Sequence, residues 1–535
     1  MPWWLIGVSM VATTFSTDTP NLVTDLVRQN GVSGNWTWWA FLITGMLTVF
    51  VYARLWRRSN ILTDIEFYEL RYSGKAAAFL RGFRALYLGL IFNVLVMGAV
   101  SLAAVKFGEI ILGWPGWLTL LISCSITLLY STIGGLKAVI VTDFIQFFLA
   151  MLGSVWAAVY IVNLPEIGGL ANLVMHQNTI SKLSIFPNFN DPDIWVPIFM
   201  IPVSVQWWAS YYPGSEPGGG GYIAQRMLSA KNEKHAVGAT LLFNIAHYAI
   251  RPWPWILIAL SSLIIFPELS DIQKAFPSLS ESKLGHDVAY PAMLSLLPPG
   301  LLGLVAASLI AAFMSTMSTQ LNLGASYIVN DFYHRFINLK ASDMQLVKIG
   351  RLFTIISVIL GASLGLVLKS AGQAFTLLLM IGSGTGLIYI LRWFWWRINA
   401  YTEIIAMISS LIIACIFNFS ELGIDNWQKI VLGSLLTSVI WILATFLTPP
   451  DDDQTLKNFV NKVNPGGPGW KKYPAQKSET PSSISRGVLS MFLGCIVVYG
   501  ALIGTGQLLY GYVFLGSTIY LLIAFISALL FKVWK

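Results

Sequence analysis

Long apolar runs recur along the chain, each long enough to cross a bilayer as a helix. Hydrophobic residues make up 56% of the 535 residues and charged residues only 11%, too few to cover a soluble protein of this size. Lipid admits only helices and closed barrels, and these runs are too long for barrel strands. The sequence therefore predicts an all-α polytopic membrane protein. We predict about fourteen transmembrane helices, at residues 3–29, 36–56, 77–110, 116–135, 138–163, 194–214, 236–266, 297–335, 343–369, 372–396, 400–420, 426–448, 487–510 and 512–533.

The basic residues predict the orientation of these spans. The chain has 33 Lys and Arg residues against 25 Asp and Glu residues, a net charge of +8. They are scattered between the spans and form no continuous patch, which argues against a nucleic-acid partner. Placing the N-terminus in the cytoplasm puts most of them in cytoplasmic loops, as the positive-inside rule requires. We therefore expect cytoplasmic N- and C-termini in a cell inner or plasma membrane.

Residue patterns for covalent or metal chemistry are sparse. Cys124, Cys415 and Cys495 lie inside apolar spans, and the five histidines form no metal-binding motif. The spans contain no evident pairing of a nucleophile with a base. The sequence predicts that the protein is not an enzyme.

A polar stripe runs along the eighth predicted span. Ser308, Ser315, Thr319, Asn322 and Ser326 are spaced by 7, 4, 3 and 4 residues, so they share one helical face. Buried hydroxyls are neutral oxygen ligands that suit a hard cation such as Na⁺. Ser and Thr are equally typical of closely packed membrane helices, where they bond to nearby carbonyls. The stripe alone leaves both interpretations open.

Two predicted spans are interrupted by polar residues and proline. Residues 16–21 interrupt the first span, and residues 206–214 interrupt the sixth. Such breaks are tolerated in a membrane where an unwound helix lines a cavity. Asp18 could also simply cap a helix that begins at Pro20, and both interpretations can hold together. Because the breaks occupy corresponding positions in two five-helix halves, they indicate an inverted-repeat transporter.

Two ionisable residues lie at membrane depth. Asp143 is about one turn inside the fifth span, and Arg251 is near the centre of the seventh. Such residues are candidates for a functional site. Asp143 could instead be hydrated or paired with a basic loop residue. Arg251 could meet an anionic substrate, a carboxylate or backbone carbonyls freed by Pro252 and Pro254.

Several stretches resemble the sodium/solute symporter family, which includes sodium-coupled sugar, proline and sialic acid transporters. The matches are Ala311-Ala312-x-x-Ser315-Thr316, Thr142-Asp143-x-x-Gln146, Ser131 through Lys137, Tyr222 through Arg226 and Asn330 through Tyr333. The resemblance implies a leucine-transporter-like 5+5 inverted-repeat core with additional C-terminal helices and alternating access. Members usually carry one more helix before the unwound one, so we expect the true start to lie upstream.

This fold divides the chain into five predicted parts. They are a first inverted repeat at 1–163, a second at 164–396, two additional helices at 397–448, a cytoplasmic linker at 449–485 and a C-terminal helical hairpin at 486–535.

The resemblance also implies two sodium sites. The first would use the carbonyls of Ala12, Phe15 and Ala312 and the hydroxyls of Ser315 and Thr316. The second would use Asp143, Ser315, Ser318 and Thr319. A single carboxylate would offset part of the two positive charges, which neutral oxygens alone would not.

By position in the family, a substrate cavity would involve aromatic, hydroxyl and basic side chains. They are Thr19, Trp38, Trp207, Trp208, Ser210, Tyr211, Tyr212, Arg251 and Thr376. The amide and acidic side chains of sugar-binding members are not reproduced, because Thr19, Trp38 and Ser210 stand near their places. Aromatic faces with hydroxyls still suit a sugar or related polyol, whereas Arg251 suits a carboxylated solute such as a sialic acid.

We therefore predict a monomeric sodium-coupled symporter that imports a small polar organic solute through the lipid bilayer. One alternative is a transporter-like solute sensor, although no soluble output domain follows in this sequence. Another is a proton-coupled or sodium-independent carrier, in which Asp143 would hold the proton.

Overall fold

The computed structural model describes the chain except for Thr17, residues 210–215, Ser278, residues 369–378, 380–381, 420–422 and 476–483, and Lys535. At residues 130, 132–138 and 418–419 it describes the backbone alone. The described residues form helices and no strands. Helices of eight or more residues are α1 (Trp3–Thr13), α2 (Asp18–Asn30), α3 (Val32–Ser59), α4 (Gly74–Leu112), α5 (Gly116–Val162), α6 (Pro192–Ser204), α7 (Gly221–Leu228), α8 (Glu233–Ile265), α9 (Pro299–Ile337), α10 (Asp343–Val367), α11 (Gly386–Phe394), α12 (Ala400–Phe419), α13 (Asn426–Leu447), α14 (Asp453–Val463), α15 (Ile484–Leu509) and α16 (Val513–Trp534).

Ten of the described helices are long and apolar enough to cross a membrane. The predicted all-helical membrane class is confirmed, while the count of fourteen is not. Helices α1 and α6 and residues 116–129 of α5 are apolar but shorter. The predicted span 372–396 lies partly outside the described residues, which show α11 at its end.

Helix α5 differs from the prediction of two spans, 116–135 and 138–163, joined by a turn. Its 47 residues form one continuous helix through Ser131–Lys137. This segment contains no proline, so every backbone N–H remains available for a helical hydrogen bond. At 1.5 Å per residue the helix is about 70 Å long, more than twice the hydrocarbon thickness. Only part of α5 can therefore lie within a bilayer.

The first predicted span is interrupted, but the break lies between Thr13 and Asp18, so residues 18–21 of the predicted interruption at 16–21 already belong to α2. Helix α1 ends at Thr13, and the amides of Thr14 and Phe15 close its last turn on the carbonyls of Val11 and Ala12, at 3.1 and 3.0 Å. Helix α2 begins at Asp18, whose carboxylate suits the positive end of the helix dipole. Helix α1 packs against α5, α8 and α9, so its C-terminal end lies inside the protein.

The second predicted interruption lies between α6 and α7. Helix α6 ends at Ser204, and part of the segment before α7 is outside the described residues. Gly218, Gly219 and Gly221 have φ angles of 89°, 83° and 50°. Residues with a Cβ adopt this region at a cost, so glycine suits the approach to α7.

Candidate functional site

Asp143 lies at the centre of a buried polar cluster between α1, α5, α7 and α9. Its Oδ1 accepts a hydrogen bond from Ser315 Oγ at 2.5 Å, and its Oδ2 accepts one from Ser9 Oγ at 2.6 Å. All three residues are fully buried. A carboxylate in such a place requires compensating donors, and the two hydroxyls supply part of them.

Arg226 of α7 provides the compensating charge. Its Nη2 lies 3.2 Å from Asp143 Oδ2 and donates to Thr13 Oγ1 at 2.8 Å and to Thr319 Oγ1 at 3.0 Å. Its Nε donates to Ser9 Oγ at 2.9 Å. The arginine therefore connects α7 to α1, α5 and α9 at once. Asp143 is thus paired with a basic residue, as one of the alternatives held, although this residue lies on a helix and not in a loop.

Of the residues predicted for the first sodium site, Thr316 lies where α9 contacts the end of α1. Thr316 Oγ1 donates to the carbonyl of Thr13 at 2.8 Å. Ala12, Phe15 and Ala312 are all buried, and the Ala12 carbonyl accepts from the Phe15 amide. The structure thus brings α9 hydroxyls beside the interrupted helix, in a region rich in buried neutral oxygens.

The residues predicted for the second sodium site are brought together only in part. Ser315 donates a hydrogen bond to Asp143 directly. Thr319 and Asp143 both contact the guanidinium of Arg226. Ser318 Oγ instead donates to the Ser315 carbonyl of its own helix at 3.0 Å. All four predicted residues are nevertheless buried.

Arg251 binds the end of α1. Its Nη1 donates to Thr14 Oγ1 at 3.0 Å and to the Val11 carbonyl at 3.3 Å. Its Nη2 lies 3.3 Å from His247 Nε2, and its guanidinium lies 5.3 Å from the ring centre of Trp255. The Val11 carbonyl belongs to another helix and is not one of those that Pro252 and Pro254 could free, so this contact matches none of the interpretations that the sequence left open.

Trp38 and Thr19 each contact residues close to Arg251 in the chain or in space. Trp38 donates from Nε1 to Asn35 Oδ1 at 2.8 Å, and its ring stacks on Tyr248 with centroids 5.8 Å apart. Thr19 Oγ1 donates to the Thr14 carbonyl at 3.3 Å. Both predicted substrate residues are thus held against the helices that carry Arg251 and Thr14.

Trp207 and Trp208 form the turn after α6. The carbonyl of Trp207 accepts from Thr44 Oγ1 at 2.5 Å, and Trp208 Nε1 donates to the Ser383 carbonyl at 3.2 Å. The remaining predicted substrate residues lie outside the described residues. They are Ser210, Tyr211, Tyr212 and Thr376.

A cavity of about 50 Å³ lies beside Thr14, between α3, α7 and α8. Its polar lining includes Thr14, Thr44, Thr48, Glu216, Thr240, Asn244 and His247. Asn244 is fully buried, and its Oδ1 accepts no hydrogen bond from the described residues. Such an acceptor is costly to leave unsatisfied, so the cavity suits a molecule that donates hydrogen bonds.

Sequence analysis missed several of these residues, although periodicity could have found some of them. Asn244, His247 and Arg251 are spaced by 3 and 4 residues, which places them on one helical face. Ser9 and Thr13 are likewise one turn apart on the first span. Arg226 stood in a matched stretch but was given no role.

Comparison with known proteins agrees with this architecture. The model of the sodium:solute symporter family matches residues 1–412, more than half of the chain. The sodium/glucose cotransporter of Vibrio parahaemolyticus is 26% identical over 471 residues, which covers 85% of this chain and 84% of that protein. The sodium/myo-inositol cotransporter of Homo sapiens is 25% identical over 529 residues, covering 87% of this chain and 70% of that protein.

Solved structures include one with a similar fold. It is a sodium-coupled sialic acid symporter in a substrate-bound outward-open state, with a TM-score of 0.63 at 20% identity, covering 84% of this chain and 91% of that chain. This likeness confirms the predicted leucine-transporter-like core. The family consists of transporters rather than enzymes, and sodium is its coupling ion. We conclude that this integral membrane protein belongs to the sodium:solute symporter family.

Proposed function

We propose that the protein imports a small polar organic solute with two sodium ions, as a monomer with cytoplasmic termini in a cell inner or plasma membrane. The observation that carries this proposal is the contact between Thr316 of α9 and the Thr13 carbonyl at the end of α1. It joins a broken helix to a hydroxyl-bearing helix in the protein interior. The two repeats, 1–163 and 164–396, would move against each other during alternating access.

The first sodium ion would bind at this junction. Carbonyls of Ala12, Phe15 and Ala312 and hydroxyls of Ser315 and Thr316 are the hard oxygen ligands that such a cation prefers. The second ion would bind at Asp143 with Ser315, Ser318 and Thr319. Each ion gains about 2.3 kcal/mol per 100 mV of membrane potential, so two ions concentrate a neutral solute more strongly than one.

The solute would bind between the cavity at Asn244 and the side chains of Trp38 and Arg251. At about 50 Å³ the cavity is far smaller than a typical small-molecule pocket, so solute binding requires neighbouring helices to separate. Hydroxyl, amide and aromatic groups favour a sugar or polyol, and the two relatives above are named for glucose and myo-inositol. The predicted Thr19, Trp207, Trp208, Ser210, Tyr211, Tyr212 and Thr376 would complete this site. A carboxylated solute would be the second choice, because Arg251 is close by.

Uptake into proteoliposomes tests the proposal. Labelled sugars, polyols, sialic acid and amino acids would each be supplied with an inward sodium gradient or with potassium in its place. We expect sodium-dependent accumulation of a sugar or polyol. We also expect Asn244→Leu to raise the half-saturating solute concentration about tenfold or more, because it replaces the free acceptor with an apolar group.

Ser308→Ala is the matched control on α9. Among the described residues Ser308 Oγ bonds within its own helix, to the Val305 carbonyl at 2.8 Å, so uptake should be unchanged. Accumulation of carboxylated solutes alone would overturn the sugar assignment. Absence of sodium-dependent accumulation of every solute, from folded protein, would overturn import itself.

A further inference from the structure

We propose that Arg226 competes with the second sodium ion for Asp143, so that sodium binding there releases α7. This inference rests on the proposed sodium site at Asp143. It assigns the Arg226 guanidinium the role of a competing cation, and it connects sodium binding to the movement of α7.

The contacts of Arg226 overlap with those required of the ion. Its Nη2 lies 3.2 Å from Asp143 Oδ2 and 3.0 Å from Thr319 Oγ1, and both residues belong to the predicted ligand set. A sodium ion held by the same two oxygens would lie within a few ångströms of the guanidinium. The sodium ion and the guanidinium would repel each other strongly at this distance in a fully buried site, and one carboxylate cannot compensate both charges.

Exchange of the two cations avoids this conflict. With either the guanidinium or sodium at Asp143, the carboxylate faces one positive charge. The hydroxyls of Ser9, Thr13, Ser315 and Thr319 already surround the position with neutral oxygens. A sodium ion could use such oxygens as ligands once the guanidinium withdraws.

Withdrawal of Arg226 would free α7 from three neighbours. Through this one side chain α7 bonds to Ser9 and Thr13 of α1, to Asp143 of α5 and to Thr319 of α9. The helix follows a glycine segment whose positive φ angles, at Gly218, Gly219 and Gly221, suit backbone rearrangement. The arginine is thus the side chain through which sodium at Asp143 would act on α7.

Sodium binding to the purified full-length protein in detergent tests the competition. Sodium would be titrated against choline at constant ionic strength, and the rise in melting temperature would report binding. We expect Arg226→Met to lower the half-saturating sodium concentration at least fivefold, because the ion no longer displaces a guanidinium. The double variant Arg226→Met with Asp143→Asn should lose this gain.

Gln225→Met is the matched control, since it introduces the same side chain on the same helix at a residue that is not among the described hydrogen-bond and ion-pair partners of Asp143. Its sodium titration should equal that of the wild type. Arg226→Lys keeps the positive charge on a shorter side chain. We expect its half-saturating sodium concentration to lie between those of the wild type and Arg226→Met. This variant keeps the inference testable if the methionine variant does not fold.

Release of α7 has its own measurement. Ala224 is fully buried in α7, so a cysteine there reports exposure of the helix to a water-soluble maleimide. With Cys124, Cys415 and Cys495 replaced by alanine, sodium should speed labelling of Ala224→Cys about tenfold. Adding Arg226→Met should make labelling fast without sodium.

The outcomes separate the inference from the function on which it rests. Unchanged or weaker sodium binding in Arg226→Met, or labelling that sodium does not alter, would overturn the competition while leaving symport intact. Sodium stabilisation that is absent even in the wild type would overturn the proposed sodium sites themselves.

Discussion

Two buried ionic clusters in this protein are built in opposite ways. The cluster around Asp143 has one carboxylate, one guanidinium and four hydroxyls within hydrogen-bonding distance. The second cluster holds Glu216 between Arg84 and Arg392, and Arg392 also lies 3.5 Å from Glu403. In the first cluster neutral oxygens surround a single ion pair, whereas in the second the charges are balanced two against two.

The composition of each cluster indicates its role. Hydroxyl oxygens can turn from a guanidinium to a metal ion at little cost, so the Asp143 cluster suits ion exchange. In the second cluster Tyr68 and Tyr72 add hydrogen bonds, and Arg392 lies over the Tyr68 and Tyr389 rings. These contacts fix the charged groups in place. A buried carboxylate alone therefore does not identify an ion site, and the proposed distinction is a single ion pair surrounded by the small side chains of Ser and Thr.

The largest effect is expected from Glu216→Ala, which tests whether the second cluster is structural. Removal of this carboxylate leaves Arg84 and Arg392 buried and undercompensated, so we expect a loss of about 3–5 kcal/mol in the free energy of unfolding. Denaturant unfolding in detergent measures it. Glu233→Ala, at the half-exposed pair with Arg58, is the control and should cost less than about 1 kcal/mol. Similar losses in both variants would contradict the comparison.

A smaller effect is expected from Tyr72→Phe in the same cluster. The Tyr72 hydroxyl donates to Glu403, and hydrogen bonds to charged groups contribute about 1.5–3 kcal/mol. We expect a loss of stability of that size, with no change in the sodium concentration for half-maximal uptake. A shift in sodium dependence would show that the two clusters do not act separately.

The smallest free-energy change is expected from Thr316→Ala, at the hydroxyl-rich site. The variant removes a proposed sodium ligand and the hydrogen bond to the Thr13 carbonyl. We expect about a tenfold rise in the half-saturating sodium concentration, which corresponds to about 1.4 kcal/mol. Thr316→Ser restores the hydroxyl and should stay within about twofold of wild type. Equal defects in both variants would assign Thr316 to packing.

Local signals in the sequence predicted the features that lipid and periodicity determine. Apolar length gave the helical class because few structures satisfy a backbone in a membrane. Aspartate and proline indicated a break in the first span, although Asp18 and Pro20 lie in the first turn of α2, just after it. Asp143 and Ser315 were placed in one proposed site, and the structure joins them by a hydrogen bond. The sodium assignment itself stays a prediction.

Other features depend on tertiary arrangement and could not be deduced in this way. The pairing of Arg226 with Asp143 spans 83 residues and depends on where α7 lies after the glycine segment. The continuous α5 contains Gly134 and Gly135, which are compatible with either a helix or a turn. The role proposed for Asn244 depends on its Oδ1, which has no hydrogen-bond partner among the described residues, and the sequence does not show this.

The end of α1 inside the protein has a consequence for mutational studies. The last carbonyls of a helix carry the negative pole of its dipole, equivalent to about half an elementary charge. In α1 this pole lies near Thr13, and the Arg251 guanidinium already binds the Val11 carbonyl there. The peptide backbone therefore contributes part of the electrostatic attraction for any cation at the end of α1. Side-chain substitution leaves that part intact, so alanine scanning would underestimate how strongly this end of α1 holds positive charge.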